Sequence, residues 1–181
     1  NNASAVVAAD LGNDGHLDLL FANANIGSRY EVDSFIYWGG PTGPDAGRRQ
    51  SLPTKGAASV VVADLNNRGR NDVIFINKQD GTGAETPASL YLSDPHDPAV
   101  FAASRRIEVE TIGPDGYSAA DLNLDGLIDL VIPGSDGTSI YWGDEKGYQR
   151  GTRTPIINNY SVSARLADFN RDGHLDAMLS E

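Results

Sequence analysis

Short apolar runs alternate with acidic segments along the whole chain. Four nine-residue segments rich in Asp, Asn and Gly are each preceded by one apolar run and followed by another. The preceding runs are SAVVAAD, ASVVVAD, GYSAAD and SARLAD, and the following runs are LDLLFAN, NDVIFIN, IDLVIPG and LDAMLS. Because these runs are short and rich in Val, Ile, Leu and Ala, they predict buried β-strands. Each acidic segment is therefore predicted to join the two strands of a hairpin.

The acidic segments share one spacing of oxygen-bearing side chains. They are DLGNDGHLD from Asp10, DLNNRGRND from Asp64, DLNLDGLID from Asp121 and DFNRDGHLD from Asp168, here called loops 1 to 4. With the first Asp as position 1, side-chain oxygens recur at positions 1, 3, 5 and 9, and Gly at position 6 permits a tight curl. Together with the backbone carbonyl of position 7, these groups suit calcium, which takes six to eight oxygen ligands. One copy could be an ordinary acidic turn, but four copies make chance a poor explanation.

The segments are not EF-hands, although an EF-hand loop begins with a similar run. An EF-hand needs a bidentate Glu at position 12 and a helix on each side. Position 12 is Phe21, Phe75, Ile132 and Leu179 in the four segments. A helix-loop-helix calcium switch is therefore excluded.

Three of the four loops carry a strong set of candidate calcium ligands. Loops 3 and 4 have a candidate ligand at positions 1, 3, 5, 7 and 9, and at position 7 the ligand is the backbone carbonyl. In loop 3 these residues are Asp121, Asn123, Asp125, Leu127 and Asp129, and in loop 4 they are Asp168, Asn170, Asp172, His174 and Asp176. Loop 1 offers Asp10, Asp14, the carbonyl of His16, and Asp18. Because Gly12 replaces its position-3 ligand, we expect weaker binding in loop 1.

Loop 2 is a doubtful calcium site. It keeps Asp64, Asn66 and Asp72 but places Arg68 at position 5 and Arg70 at position 7. Our hypothesis is that loop 2 holds no calcium and that Arg68 takes the place of the ion by bridging Asp64 and Asp72. The alternative is that Arg68 points into solvent and that the loop binds calcium weakly through water.

The spacing between loops predicts a repeat fold. The first Asp residues lie 54, 57 and 47 positions apart. A third strand (SFIYWGG, SLYLSD, SIYWGD) and a more polar fourth strand (RRQSLPT, SRRIEVET, YQRGTRTPI) follow the first three loops. Four antiparallel strands per repeat of this length form a blade of a β-propeller.

We therefore predict an all-β chain that is a single β-propeller segment over residues 1–181. Its repeats are 3–55, 56–112, 113–158 and a partial repeat at 159–181, which make about three and a half blades. Closed propellers generally have four to eight blades. We expect the remainder of a larger propeller, of about seven blades, or a second chain to complete it.

The pattern D-x-N-x-D-G-x-x-D between two strands, with an aromatic-Gly third strand, resembles the FG-GAP and VCBS repeats. These repeats form the calcium-loop blades of integrin alpha-subunits and of many secreted microbial proteins, and the similarity covers the whole chain. The resemblance implies about three structural Ca²⁺ ions and a binding or adhesion module. It also implies an extracellular location, secreted or at the cell surface, or periplasmic in a bacterium.

Composition agrees with calcium loops and argues against two classes of partner. The formal net charge is −11 and the pI is near 4.5, which disfavours nucleic acid, a partner that calls for basic patches. Eleven Asp residues occupy loop ligand positions, and three divalent ions would bring the net charge to about −5. The chain has no Cys, which excludes disulfides and thiolate metal sites. It has no apolar run of membrane-spanning length, so we expect no direct membrane insertion.

Two functions remain open for the chain. The first is a calcium-stabilised adhesion module that binds a glycan or a protein through the loops at the end of the blades opposite the calcium loops. Candidate contact residues there are Arg29, Tyr30, Glu31, Lys78, Gln79 and Glu85. The alternative is the propeller part of a secreted polysaccharide lyase or hydrolase.

The sequence offers little for catalysis, so we expect no enzyme activity from this segment. His16 and His174 fall at loop position 7, and His96 lies in a Pro-flanked loop. No nucleophile elbow, zinc-protease motif or paired carboxylate independent of the loops is present. Trp38 and Trp142, at matched positions, could stack on sugars, but their repetition favours packing between blades.

Overall fold

The computed structural model describes residues 2–78, 86–111, 116–134, 137–145, 148, 153–157 and 159–180. Within these ranges the chain forms β-strands and two short 3-10 turns, at Ala46–Arg48 and Ala103–Arg105. No helix in this part of the chain is long and apolar enough to cross a membrane. The strands are β1 Asn2–Ala9, β2 Asp18–Asn25, β3 Glu31–Tyr37, β4 Arg49–Lys55, β5 Ala57–Ala63, β6 Asp72–Asn77, β7 Ala88–Tyr91, β8 Arg106–Val109, β9 Ser118–Ala120, β10 Asp129–Gly134, β11 Gly137–Tyr141, β12 Arg153–Ile157, β13 Ser163–Ala167 and β14 Asp176–Ser180.

The strands form three four-stranded antiparallel sheets and one two-stranded sheet. The orders are β1-β2-β3-β4, β5-β6-β7-β8 and β9-β10-β11-β12, with β13-β14 as the fourth sheet. Each strand pairs with its neighbour in sequence, which is the meander of a propeller blade. The all-β fold built from four-stranded blades is thus confirmed. We name the sheets blades 1 to 4 in chain order; a ring of seven blades stays a prediction.

The acidic loops join the first two strands of every blade, as predicted. In each hairpin the last residue pair before the loop sets an Ala opposite the position-9 Asp. These pairs are Ala9 with Asp18, Ala63 with Asp72, Ala120 with Asp129, and Ala167 with Asp176. All four loops therefore start from the same register.

The hydrophobic core lies between the blades. Leu20, Ile36 and Leu52 of blade 1 pack against Val73 and Phe75 of blade 2. A second cluster joins the other face of blade 2 to blade 3. Successive residues of a strand point to opposite faces, so β6 has two apolar faces to bury and is buried along its whole length.

Blade 2 also shows how the second cluster is built. Ile74 and Ile76, which alternate with the residues facing blade 1, pack with Leu90 against Leu130 and Ile132 of blade 3. Burial of a large aliphatic side chain stabilises a fold by about 1.5–3 kcal/mol. Neighbouring blades thus supply each other's core.

Blade 1 has one apolar face that no described blade covers. Leu19, Phe21 and Tyr37 are only partly buried, whereas the equivalent residues of blade 2 are fully buried. The face forms a depression of about 600 Å³ beside Phe35 and Arg49. The Arg49 guanidinium lies 4.5 Å from the Phe35 ring centroid.

Trp38 packs between blades, as predicted from its repeated position. Its ring stacks on Phe101 of blade 2, with 6.2 Å between centroids and 21° between planes, and it packs against the core of blades 1 and 2. Trp142 donates its Nε1–H to Thr154 Oγ1 at 2.8 Å. Trp38 therefore serves packing between blades.

Phe21 and Phe75 occupy equivalent positions on β2 and β6, which gives a matched test of inter-blade packing. We expect Phe75→Ala to lower the free energy of unfolding by about 3–5 kcal/mol, because it empties a fully buried site. Phe21→Ala should cost less than half as much. Urea unfolding of both variants measures the difference, and equal losses would contradict the placement of the core between blades.

Candidate metal centre

All four acidic loops adopt the same backbone curl. Gly at position 6 has φ between 73° and 91° in each, as the sequence predicts. Position 4 is also left-handed, with φ of 52° to 64°, and its residues are Asn13, Asn67, Leu124 and Arg171. Asn adopts this conformation readily. For Leu124 and Arg171 the left-handed backbone costs about 1 kcal/mol of conformational free energy each. The loops keep the curl despite this cost.

The position-1 Asp closes the curl in the same way in every loop. Its two carboxylate oxygens accept the backbone N–H groups of positions 5 and 6, at 2.6–3.1 Å. These four residues are Asp10, Asp64, Asp121 and Asp168. The left-handed residues at positions 4 and 6 turn both donors toward one side chain.

Positions 3 and 5 interact with each other in loops 3 and 4. In loop 3, Asn123 Oδ1 accepts the Asp125 N–H at 3.1 Å, and Asn123 Nδ2 donates to Asp125 Oδ2 at 2.9 Å. Asp125 Oδ1 accepts the Leu127 N–H at 2.8 Å. Asn170 and Asp172 repeat the pattern in loop 4. All four side chains are exposed to solvent.

In blades 1 to 3 the position-9 Asp is buried and ties the loop to the third strand. Asp129 is 0% exposed; its Oδ2 accepts the Leu122 N–H at 2.9 Å and its Oδ1 accepts the Gly143 N–H at 2.7 Å. Asp18 makes the same two contacts in blade 1, with Leu11 and Gly39. This second role of the candidate ligand is not visible in the sequence.

In blades 1 and 3, glycine after the third strand is required by the close approach of the loop. A Cβ on Gly143 would lie 2.7 Å from the Ile128 carbonyl oxygen, and a Cβ on Gly39 would lie 2.3 Å from that of Leu17. These residues are the Gly of the two Tyr-Trp-Gly sequences. In blade 2 the position is Ser93, whose N–H and hydroxyl both contact Asp72 Oδ1.

The electrostatics of loop 3 disfavour three ionised carboxylates. Burial raises the pKa of Asp129, the N–H groups of Gly143 and Leu122 oppose the rise, and the charges of Asp125 and Asp121 add to it. A cation in the loop would stabilise all three carboxylates.

Loop 2 has a different arrangement of side chains on the same backbone. Arg68 Nε donates to Asn66 Oδ1 at 2.6 Å, and Asn66 Nδ2 donates to Asp72 Oδ2 at 3.0 Å. The guanidinium of Arg68 is thus linked to Asp72 through the amide of Asn66, which is 8% exposed, and not by the expected direct bridge. Asp64 accepts the backbone N–H of Arg68 at 2.9 Å. Burial raises the pKa of Asp72, while Ser93 and the positive charge of Arg68 lower it.

The loops lie side by side at one end of the blades. Asn13 Nδ2 donates to the Gly69 carbonyl at 3.0 Å, and Asn71 Nδ2 donates to the Asp10 carbonyl at 2.9 Å. Loop 3 meets loop 2 through the Ile128 N–H and the Leu65 carbonyl, at 3.4 Å. Loop 2 is therefore in contact with the acidic loops on both sides.

The donor sets of loops 3 and 4 fit calcium in their chemistry. Among the residues that the structure describes, no three His, Cys, Asp or Glu side chains are grouped tightly enough to count as a metal site. The carboxylates instead hold backbone N–H groups, but each carboxylate oxygen has a second lone pair for a cation. An Asn oxygen and a backbone carbonyl complete the hard donor set that Ca²⁺ prefers. Loop 2 does not fit, since its Asn66 oxygen faces a guanidinium.

The candidate ligand-binding residues lie elsewhere, in the connections between second and third strands. Arg29 lies in a tight turn closed by two backbone hydrogen bonds with Ile26, at 2.9 and 3.0 Å. Glu31 faces Lys55, with 3.9 Å between charged atoms. Tyr30 and Lys78 are also described, whereas Gln79 and Glu85 lie outside the described residues.

Gly143 and Gly12 test the close approach of loop and third strand. We expect Gly143→Ala to lower the free energy of unfolding by about 1–3 kcal/mol, because the added Cβ collides with the Ile128 carbonyl. Gly12→Ala is the control, since its nearest neighbour atom would be 3.7 Å away. Thermal unfolding of both variants measures this; a Gly143→Ala protein as stable as the control would rule out the contact.

The comparisons with known proteins agree with this geometry. The FG-GAP-like repeat family matches residues 10–75 and 121–179. No curated protein matches the chain. Among solved structures, the chain is similar to the one titled "Crystal structure of the V. cholerae biofilm matrix protein Bap1", with a TM-score of 0.53 and 18% sequence identity.

That match covers 98% of this chain and 28% of the Bap1 chain, so this chain spans less than a third of that protein. At this identity the likeness shows the fold. FG-GAP repeats typically bind calcium. Loops 3 and 4 carry the full set of donor residues, and loop 1 carries all but the one at position 3. The family matches extend over more than half of the sequence, and the chain belongs to the FG-GAP-like repeat family.

Proposed function

We propose that the chain is a calcium-stabilised extracellular binding module, with structural Ca²⁺ in loops 1, 3 and 4. The observation that carries the proposal is the common loop backbone: positions 4 and 6 are left-handed in all four loops, and the position-1 carboxylate accepts the N–H groups of positions 5 and 6. Loops 3 and 4 carry oxygen side chains at positions 1, 3, 5 and 9 on this backbone. The family match supports the same assignment.

In this proposal the role of the ion is structural: it cross-links the residues of the loop. Asp121, Asn123, Asp125 and Asp129, with the Leu127 carbonyl, would hold it in loop 3. The bound cation offsets the repulsion among the carboxylates and fixes the hairpin against the third strand through Asp129. In loop 1, Gly12 supplies no side-chain oxygen, so the affinity should be lower there.

The binding surface that we propose lies at the opposite end of the blades from the calcium loops. Antiparallel order places the connections between second and third strands at that end. Arg29 and Tyr30 lie on one such connection and Glu31 begins the strand after it. Exposed loops on a rigid scaffold are the usual place for recognition. A glycan or a protein is the proposed ligand. The proposed calcium sites and the likeness to a biofilm matrix protein support a secreted, cell-surface or periplasmic location.

Binding fits the described chemistry better than catalysis. The acidic side chains with raised pKa values, Asp72 and Asp129, are buried and hydrogen-bonded to backbone groups of their own blade. Their shifts come mainly from burial and so reflect structure. His96 donates its backbone N–H to Asp94 at 2.8 Å in an exposed loop. Among the residues that the structure describes, no observation favours the lyase or hydrolase alternative.

We also propose that a further blade covers the open face of blade 1. Leu19, Phe21 and Tyr37 are the counterparts of Val73, Phe75 and Tyr91, which blade 1 covers completely in blade 2. The remainder of a propeller or a second chain would supply the partner. In a chain that carries further blades, the cost of Phe21→Ala should then rise to that of Phe75→Ala; an unchanged cost would contradict coverage of this face.

Asp125→Ala tests calcium in loop 3. It should remove one bound Ca²⁺ per chain in calorimetric titration and lower the melting temperature in calcium, with little change in chelator, because Asp125 is exposed. Asp97→Ala is the matched control: Asp97 is exposed and also accepts the N–H two residues on, at 3.0 Å, outside the calcium loops. An unchanged ion count in Asp125→Ala, or the same loss in the control, would refute the site.

Arg29→Ala tests the proposed binding end. On a panel of immobilised polysaccharides and extracellular proteins, a ligand bound by the wild type should be bound at least severalfold more weakly by this variant. Arg171→Ala, which removes an exposed arginine at the calcium end, should leave binding unchanged. Equal effects from both variants, or an effect from Arg171→Ala alone, would place the ligand elsewhere.

A further inference from the structure

Loop 2 is the one acidic loop of the described residues whose position 5 carries a positive charge. Its backbone is nevertheless the same, with Asn67 and Gly69 left-handed and Asp64 accepting the N–H groups of Arg68 and Gly69. The curl therefore forms without a carboxylate at position 5. Something else must hold positions 3 and 9 in place.

The side chain of Asn66 shows what holds them. In loops 3 and 4 the position-3 Asn is exposed and donates to the position-5 carboxylate. In loop 2, Asn66 is 8% exposed and turns its amide to Asp72 at 3.0 Å, while its oxygen accepts the Arg68 Nε–H at 2.6 Å. The side chains of Asn66 and Asp72, which would be ligands of a cation, are thus joined to Arg68 in one series of hydrogen bonds, from Arg68 to Asn66 to Asp72.

The chain of contacts continues into the third strand. Asp72 Oδ1 accepts the Ser93 N–H at 2.8 Å and the Ser93 hydroxyl at 3.1 Å. The equivalent residue in blades 1 and 3 is Gly, which offers one donor only. Blade 2 therefore joins loop and third strand with more side-chain hydrogen bonds than its neighbours do.

The second arginine of the loop does not enter this arrangement. Arg70 at position 7 donates its Nη1–H to the Asp94 carbonyl oxygen at 2.8 Å, beyond the third strand. Asp94 in turn forms an ion pair with Arg105. Arg68 alone is placed where it can substitute for an ion.

Resting on the proposed calcium sites of loops 1, 3 and 4, we infer that loop 2 is an ion-independent loop in which Arg68 does the work of the cation. Its two carboxylates and two arginines cancel in charge. Loop 2 contacts loops 1 and 3 directly, so a neutral loop separates two acidic loops and lowers their mutual repulsion. The stability of blade 2 should then depend less on calcium than that of its neighbours.

Arg68→Asp is the direct test, because it restores an oxygen ligand at every side-chain position of loop 2. Calorimetric titration of the full chain with calcium chloride should give one more ion per chain than the wild type. The variant should melt lower than the wild type in chelator and recover when calcium is added. A wild type that already binds in loop 2, or an unchanged ion count in the variant, would overturn the inference.

Arg68→Ala separates this inference from the calcium proposal itself. It removes the guanidinium and adds no ligand, so it should lower the melting temperature in chelator without recovery in calcium. Arg171→Ala, an exposed arginine of loop 4, is the control and should leave the melting temperature in chelator unchanged. A wild type that binds no calcium would contradict the calcium proposal. An Arg68→Ala protein that melts in chelator at the same temperature as the wild type would overturn the role of Arg68.

Discussion

A buried carboxylate at the end of the hairpin loop, in blades 1 to 3, is the interaction on which the rest of the blade depends. Removing a carboxylate from water is costly unless hydrogen bonds satisfy its oxygens. Asp18 and Asp129 meet this demand with one N–H from the second residue of the loop and one from the second residue after the third strand. Both donors exist only if the loop curls and the third strand pairs beside the second. The close approach then leaves no room for a side chain at Gly39 or Gly143.

The exposed carboxylates of the loops repel one another. Positions 1 and 5 bring like charges together at the surface, and backbone N–H groups hold their side chains in place. Neighbouring loops contact each other, so the charge accumulates along one end of the blades. In our account calcium offsets this repulsion in loops 1, 3 and 4, and Arg68 offsets it in loop 2. The ends of the blades that face away are then free to serve recognition.

Much of the fold could be predicted from the sequence because the repeat signals are physical requirements of the blade. Short apolar runs on both sides of each loop predicted the hairpins, and the position-6 Gly predicted the curl. The left-handed residue at position 4 could be guessed at Asn13 and Asn67. At Leu124 and Arg171 the left-handed conformation could not be predicted from the sequence, since those residue types do not favour it.

The details of the site depended on contacts between distant parts of the chain. That Asp129 bonds to Gly143, fourteen residues later, follows from strand pairing and not from the loop motif. Likewise the charge of Arg68 suggested a bridge between two carboxylates, but only the position of Asn66 showed the route through its amide. Ligand identity depends on surface chemistry that no local pattern encodes.

The central claim is that calcium occupies some of these loops and not others, and anomalous diffraction tests it most directly. Crystals grown in calcium, with data collected at a wavelength where calcium scatters anomalously, should show peaks within loops 1, 3 and 4 and none within loop 2. The peak in loop 1 should be the weakest of the three, because Gly12 supplies no ligand. Absence of peaks in loops 3 and 4, or a full peak in loop 2, would contradict the account.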